Sequence, residues 1–124
     1  MLTDKEKGLL FLAFSKGFDD GHVSYMLGYN KQRVTYWRVR FGFQSEDVKN
    51  IRWGEWARLA RAGIDLRFIG FLYRVKENTV RMRLHLLGVS LREIKVFAKS
   101  KDNYSKLFWY EDYENTWYEF LETN

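Results

Sequence analysis

An all-α fold, built as two tandem three-helix modules followed by a C-terminal aromatic-rich helical segment, is what this sequence of 124 residues predicts. Three observations predict it. The chain repeats itself with a period of 46 residues. Its apolar residues recur at helical spacing within each repeat. Helix-capping and helix-ending residues punctuate both copies at matching places.

Sliding the chain by 46 residues lays GFDDGHVSYMLGYNKQRVTYWRVRFGF (17–43) over GIDLRFIGFLYRVKENTVRMRLHLLGV (63–89) without a gap. Gly17/Gly63, Asp19/Asp65, Val34/Val80 and Gly42/Gly88 are identical. Phe18/Ile64, Val23/Ile69, Met26/Leu72, Tyr36/Met82, Phe41/Leu87 and Phe43/Val89 keep their apolar character. An apolar pattern held in register over 27 residues is the mark of a duplicated structural unit.

The elements follow in order. Thr3-x-x-Glu6 is a capping box that opens a helix carrying Leu9, Leu10, Ala13 and Phe14 before Gly17 ends it. Asp19 caps a short second helix bearing Val23, Met26 and Leu27. Gly28-Tyr29-Asn30 is a turn, because Gly and Asn tolerate left-handed backbone. A third helix from Lys31 turns Val34, Trp37 and Phe41 inward and stops at Gly42. In the second copy Asn50 is the expected cap of a helix with Trp53, Trp56, Leu59 and Ala60. Asp65 caps the next, and the last buries Val80, Leu84 and Leu87. A short linker from Phe43 to Lys49 joins the copies. The domains predicted are therefore residues 1–43, 49–89 and a C-terminal part 90–124, in which Ser90-x-x-Glu93 opens a further helix.

Composition narrows the function. Cysteine is absent, which excludes disulfide scaffolds, zinc fingers and thiol catalysis. Lys5 and Lys7 ahead of the apolar run 8–14 imitate a signal peptide, but the run is too short and no small-residue cleavage site follows. No stretch approaches the roughly 18 apolar residues of a membrane span. The expected setting is cytoplasmic, on the nucleoid or in a host cell's cytoplasm. The net charge of +5 is uneven: residues 1–101 hold 20 of the 21 Lys and Arg against 10 of the 16 acids, while 102–124 carry −5. A basic body of +10 points to a polyanionic partner.

Three short helices, the last two joined by a tight turn, make the helix-turn-helix architecture. Small residues, Ser24 and Gly70, stand where the third helix crosses the second. The turn position holds Gly28 in one copy and Arg74 in the other, each followed by an apolar residue, Tyr29 or Val75. On these residues NKQRVTYWRVRFG resembles the recognition end of resolvase- and transposase-type homeodomain-like domains. ENTVRMRLHLLGV is similar to the corresponding end of GcrA-type bacterial and phage regulators. The resemblance covers 17–43 and 63–89 and implies double-stranded DNA binding, with each third helix in a major groove.

The outward side chains suit that role. Gln32, Thr35 and Tyr36, then Asn78, Arg81 and Met82, are the expected base-facing residues, since amides pair with adenine and Arg with guanine. Asn30, Lys31, Arg33, Arg38, Arg40, Lys76 and Arg83 are the expected backbone contacts. The function expected is a small bacterial or phage-type transcriptional regulator reading an asymmetric site. A DNA-recognition part of a terminase or recombinase is the alternative within DNA binding. His22 and His85 have no second ligand at helical spacing, so no metal or cofactor is expected. Glu111, Asp112 and Glu114 lack a partner base, nucleophile or phosphate-cradling loop, so no enzyme is expected. The segment 102–124 crowds eight aromatic residues among its acids: Tyr104, Phe108, Trp109, Tyr110, Tyr113, Trp117, Tyr118 and Phe120. It is read as packing on the modules or as an interface to a second copy or RNA polymerase. Binding a polymerase or nuclease through it is the rival, protein-interaction function.

Overall fold

The computed structural model describes residues 2–92, and the readings that fall on 93–124 lie outside the described residues. Among the described residues there are six helices and no strand: α1 (Asp4–Ser15), α2 (Asp20–Leu27), α3 (Lys31–Arg40), α4 (Ser45–Arg61), α5 (Leu66–Tyr73) and α6 (Glu77–Leu86). The chain divides into two compact units, Met1–Trp56 and Ala57–Asn124.

In the first unit, Thr3 opens α1 through a reciprocal capping box. Its side chain accepts from the Glu6 N–H while Glu6 accepts from the Thr3 N–H. Two free helical N–H groups are thereby satisfied, and Leu10, Ala13 and Phe14 turn to the core. Gly17 ends the segment at φ +84, and a Cβ there would stand 2.3 Å from the Arg52 Cα. The Gly17 carbonyl accepts from the Arg52 Nε at 2.7 Å, so α4 lies directly on this turn. Asp19 caps α2 through the His22 N–H, Gly28 takes the left-handed turn at φ 72, and Asn30 caps α3 through the Gln32 N–H. Phe14, Phe18, Val23, Val34 and Val48 fill the interior, each less than 3% exposed. Beside them Phe11 meets Phe41 and Phe43 at 5.5 Å, and Trp37 meets Phe41 at 5.6 Å.

The second unit repeats that path. α5 and α6 start and end 46 residues after α2 and α3, and the left-handed positions Gly17, Gly28 and Gly42 recur at Gly63, Arg74 and Gly88. Asp65 caps α5 as Asp19 caps α2. Ile64, Phe68, Ile69, Leu72, Val80 and Leu84 are buried. The backbone is the same; the side chains that hold it are not.

Three expectations need correction. The helix expected after Asn50 begins at Ser45, so most of the expected linker is helical. Its start is supported by Asp47, whose carboxylate accepts from the Gln44 N–H at 2.8 Å. Leu87 is not buried but 43% exposed, because α6 has already ended and Leu87 is its C-cap. Trp37 is half-buried, lying along Phe41 with the Lys7 ammonium 5.0 Å above its ring.

Candidate nucleic-acid interface

α3 starts where it does because Asn30 and Gly28 build the turn before it, and two contacts hold that turn. The Ser24 hydroxyl donates to the Tyr29 carbonyl. The Tyr29 hydroxyl donates to Glu6 Oε2 at 2.7 Å, tying the turn to the first turn of α1. The Thr3 backbone N–H, with help from the Tyr29 hydroxyl, lowers the Glu6 pKa to about 2. Burial, with the Glu6 carboxylate beside it, pushes Tyr29 up to about 12. Both shifts express one arrangement, a carboxylate that keeps its charge and a phenol that keeps its proton.

From that anchored start α3 turns Lys31, Gln32, Arg33, Tyr36, Val39 and Arg40 to solvent. Residues 30–43 contain no acid, so every charged side chain that α3 itself supplies to this face is positive. Tyr36, 55% exposed, is braced edge-on against Trp37 at 5.4 Å. Two of the expected contacts lie elsewhere. The Thr35 hydroxyl donates to Asp20 at 2.7 Å, and the Arg38 Nε lies 2.9 Å from the same carboxylate. Another Arg38 nitrogen donates to the Phe43 carbonyl at 2.9 Å. With side-chain exposures of 12% and 15%, Arg38 and Asp20 form a clasp inside the unit. Asn30 is likewise committed, its oxygen accepting from the Gln32 N–H at 2.8 Å.

α6 presents the equivalent face: Asn78, Thr79, Arg81, Met82, His85 and Leu86 are exposed. Met82 is 54% exposed, close to the value at Tyr36, its counterpart in the first repeat. Arg81 pairs with Glu77 one turn earlier at 2.8 Å, in a pair 51% and 40% exposed that water and salt readily loosen. Arg83 is half-buried. Lys76 occupies the cap position of α6 and supplies no side-chain hydrogen bond to it.

Sequence reasoning missed the clasp. Asp20 and Arg38 lie 18 residues apart on different helices, a separation that no periodicity marks. It also missed the exposed apolar residues Val39 and Leu86, 57% and 67% exposed. These were legible as residues on the outward arc of each third helix. Among the described residues no group of three or more His, Asp or Glu is placed to hold a metal. His22 instead meets Phe18 edge-on at 4.9 Å. No helix among the described residues is long and apolar enough to cross a membrane. Comparison with protein-family models, with curated proteins and with solved structures gives no match in any of the three.

Proposed function

We propose that the protein binds double-stranded DNA through α3 and α6, each acting as the second helix of a helix-turn-helix and lying in a major groove, and that it regulates transcription. One observation carries this reading. Two helix pairs with the same bounds, 46 residues apart, each turn outward a third-helix face of basic and amide side chains. An α-helix, about 10–12 Å across with its side chains, fits a major groove about 12 Å wide. Lys31, Arg33 and Arg40 would hold phosphates, while Gln32 and Tyr36, and in the second unit Asn78, Arg81 and Met82, would meet base edges. Because the two faces differ at nearly every outward position, the expected target is asymmetric rather than a palindrome.

Salt titration of binding to random duplex is the test. The logarithm of the affinity should fall against the logarithm of the salt concentration by about 0.9 per phosphate contacted. Lys31→Ala, Arg33→Ala and Arg40→Ala combined should reduce that slope. Absence of binding to any duplex at low salt would sink the proposal. Recovery of palindromic sites from random DNA would sink its asymmetric form.

A further inference from the structure

Resting on that reading, we infer that the two units share one base preference: each third helix reads neighbouring A·T pairs through an amide and an apolar side chain one turn apart. The repeat places Gln32 over Asn78 and Tyr36 over Met82. All four are exposed, and among the described residues neither amide group makes a side-chain hydrogen bond. Other outward positions are not shared in this way. Arg33 lies over Thr79, and Thr35, held by Asp20, lies over the exposed Arg81.

An amide of Gln or Asn matches adenine alone among the bases, donating to N7 with its NH₂ and accepting from N6 with its oxygen. The apolar partner calls for a second explanation. Tyr36 and Met82 are each more than half exposed at equivalent positions of faces that are mostly basic or polar, whereas the other exposed apolar residues there, Val39 and Leu86, are not paired by the repeat. Burying Tyr36 and Met82 against DNA gains without stranding polar base-edge atoms where the groove itself offers apolar surface. The thymine 5-methyl is the one apolar group on the major-groove edges of the four base pairs. Adenine's partner carries that methyl in the same groove, so A·T pairs under the helix suit both side chains. Four residues of helix span about 6 Å, or about two base-pair steps. The shared element of the two half-sites is therefore A·T. The element that distinguishes them is set by the unlike positions 33, 35, 79 and 81.

The full chain is titrated against three duplexes of equal length: an A·T-rich one, a G·C-rich one, and the A·T-rich one with every thymine replaced by uracil. The A·T-rich duplex should bind at least about tenfold more tightly than the G·C-rich one. Uracil replacement should weaken binding by about fourfold per methyl contacted. Tyr36→Ser with Met82→Ser, both surface changes, should erase the thymine–uracil difference while leaving the salt slope in place. Gln32→Ala with Asn78→Ala should narrow the preference for A·T over G·C. Equal binding of thymine and uracil duplexes, or of A·T and G·C duplexes, overturns the inference while a salt-dependent affinity leaves DNA binding standing. Failure to bind any duplex removes both. Concentration-dependent self-association lost on Tyr36→Ser with Met82→Ser would instead assign the apolar residues to a protein contact and overturn it.

Discussion

Where the first unit holds Asp20 and Arg38, the second holds Leu66 and Leu84 at the equivalent positions. The polar pair is nearly buried, and Leu84 is fully so. The same substitution of chemistry recurs at the turns. Ser24 reaches the Tyr29 carbonyl through its hydroxyl, whereas Gly70 lies under the Val75 carbonyl, where a Cβ would come within 2.7 Å. Gly28 and Asn30 become Arg74 and Lys76, so a left-handed residue with a side chain and an uncapped helix replace residues suited to both tasks. One backbone path is thus specified twice. The first unit holds its turn with side-chain hydrogen bonds from Ser24 and Tyr29, and the second sets turn residues of lower propensity beside the buried Phe68, Ile69, Leu72, Val80 and Leu84. Tertiary packing can override a weak local propensity, as Arg74 and Lys76 illustrate.

Exchanging residues between the units tests this, and the largest effect should come from the crossing point. Gly70→Ser forces a side chain against backbone and should destabilise the second unit by about 3 kcal/mol. The reverse exchange, Ser24→Gly, loses one hydrogen bond and should cost the first unit about 1 kcal/mol. Hydrogen exchange at the amides of each unit separates the two losses, and equal losses would break the comparison. Next comes the clasp. Asp20→Ala leaves the Arg38 guanidinium nearly buried beside an empty site and should cost about 3 kcal/mol in a melting experiment. Asp20→Leu with Arg38→Leu, which imitates the second unit, should stay within about 1 kcal/mol of the unaltered chain.

A smaller effect of opposite sign is expected at the second turn. Arg74→Gly relieves a left-handed conformation but loosens the unfolded chain, for a net gain of about 0.5–1 kcal/mol in stability. Gly28→Arg should lose a similar amount. Smallest is the pH dependence of the Glu6–Tyr29 link. Glu6 has its pKa lowered from 4.5 to about 2, so its contribution is present above 4.5 and lost as pH falls toward 2. Tyr29 is raised from 10.0 to about 12, so its contribution is present below 10 and lost as pH rises toward 12. Tyr29→Phe should flatten the alkaline loss in the first unit, and Val75 in the second unit offers nothing comparable.

Much of the helical layout was legible because its signals are local. Caps at Thr3, Asp19 and Asp65, stops at Gly17 and Gly42, and apolar residues three and four apart each act within one turn of helix. The start of α4 was not legible. Asn50 is a plausible cap, but Asp47 supports the helix start five residues earlier, and a helix continues through a good cap residue once tertiary packing favours it. The outward face of α3 was read correctly at Lys31, Gln32, Arg33, Tyr36 and Arg40, since helical phase fixes it once Val34 is placed inside. Thr35 and Arg38 escaped because Asp20, on another helix, draws them inward from the margin of that face. Periodicity tells which arc a residue occupies; it does not tell which neighbour will claim a residue at the arc's edge.

Arg74 also bears on the order in which the chain assembles. An unfolded chain visits the left-handed region often at glycine and seldom at arginine. Helices as short as α2, α3, α5 and α6 do not persist alone, so each pair must await its turn or its core. The turn at Gly28 is available early and can guide α3 onto α2. At Arg74 the turn is expected to form only once the buried Phe68, Ile69, Val80 and Leu84 have packed, so the prediction is that the second unit collapses first and bends afterwards. Folding rates should record this. Arg74→Gly should speed formation of the second unit by as much as it stabilises it if the turn belongs to the transition state, and should only slow unfolding if the turn closes last.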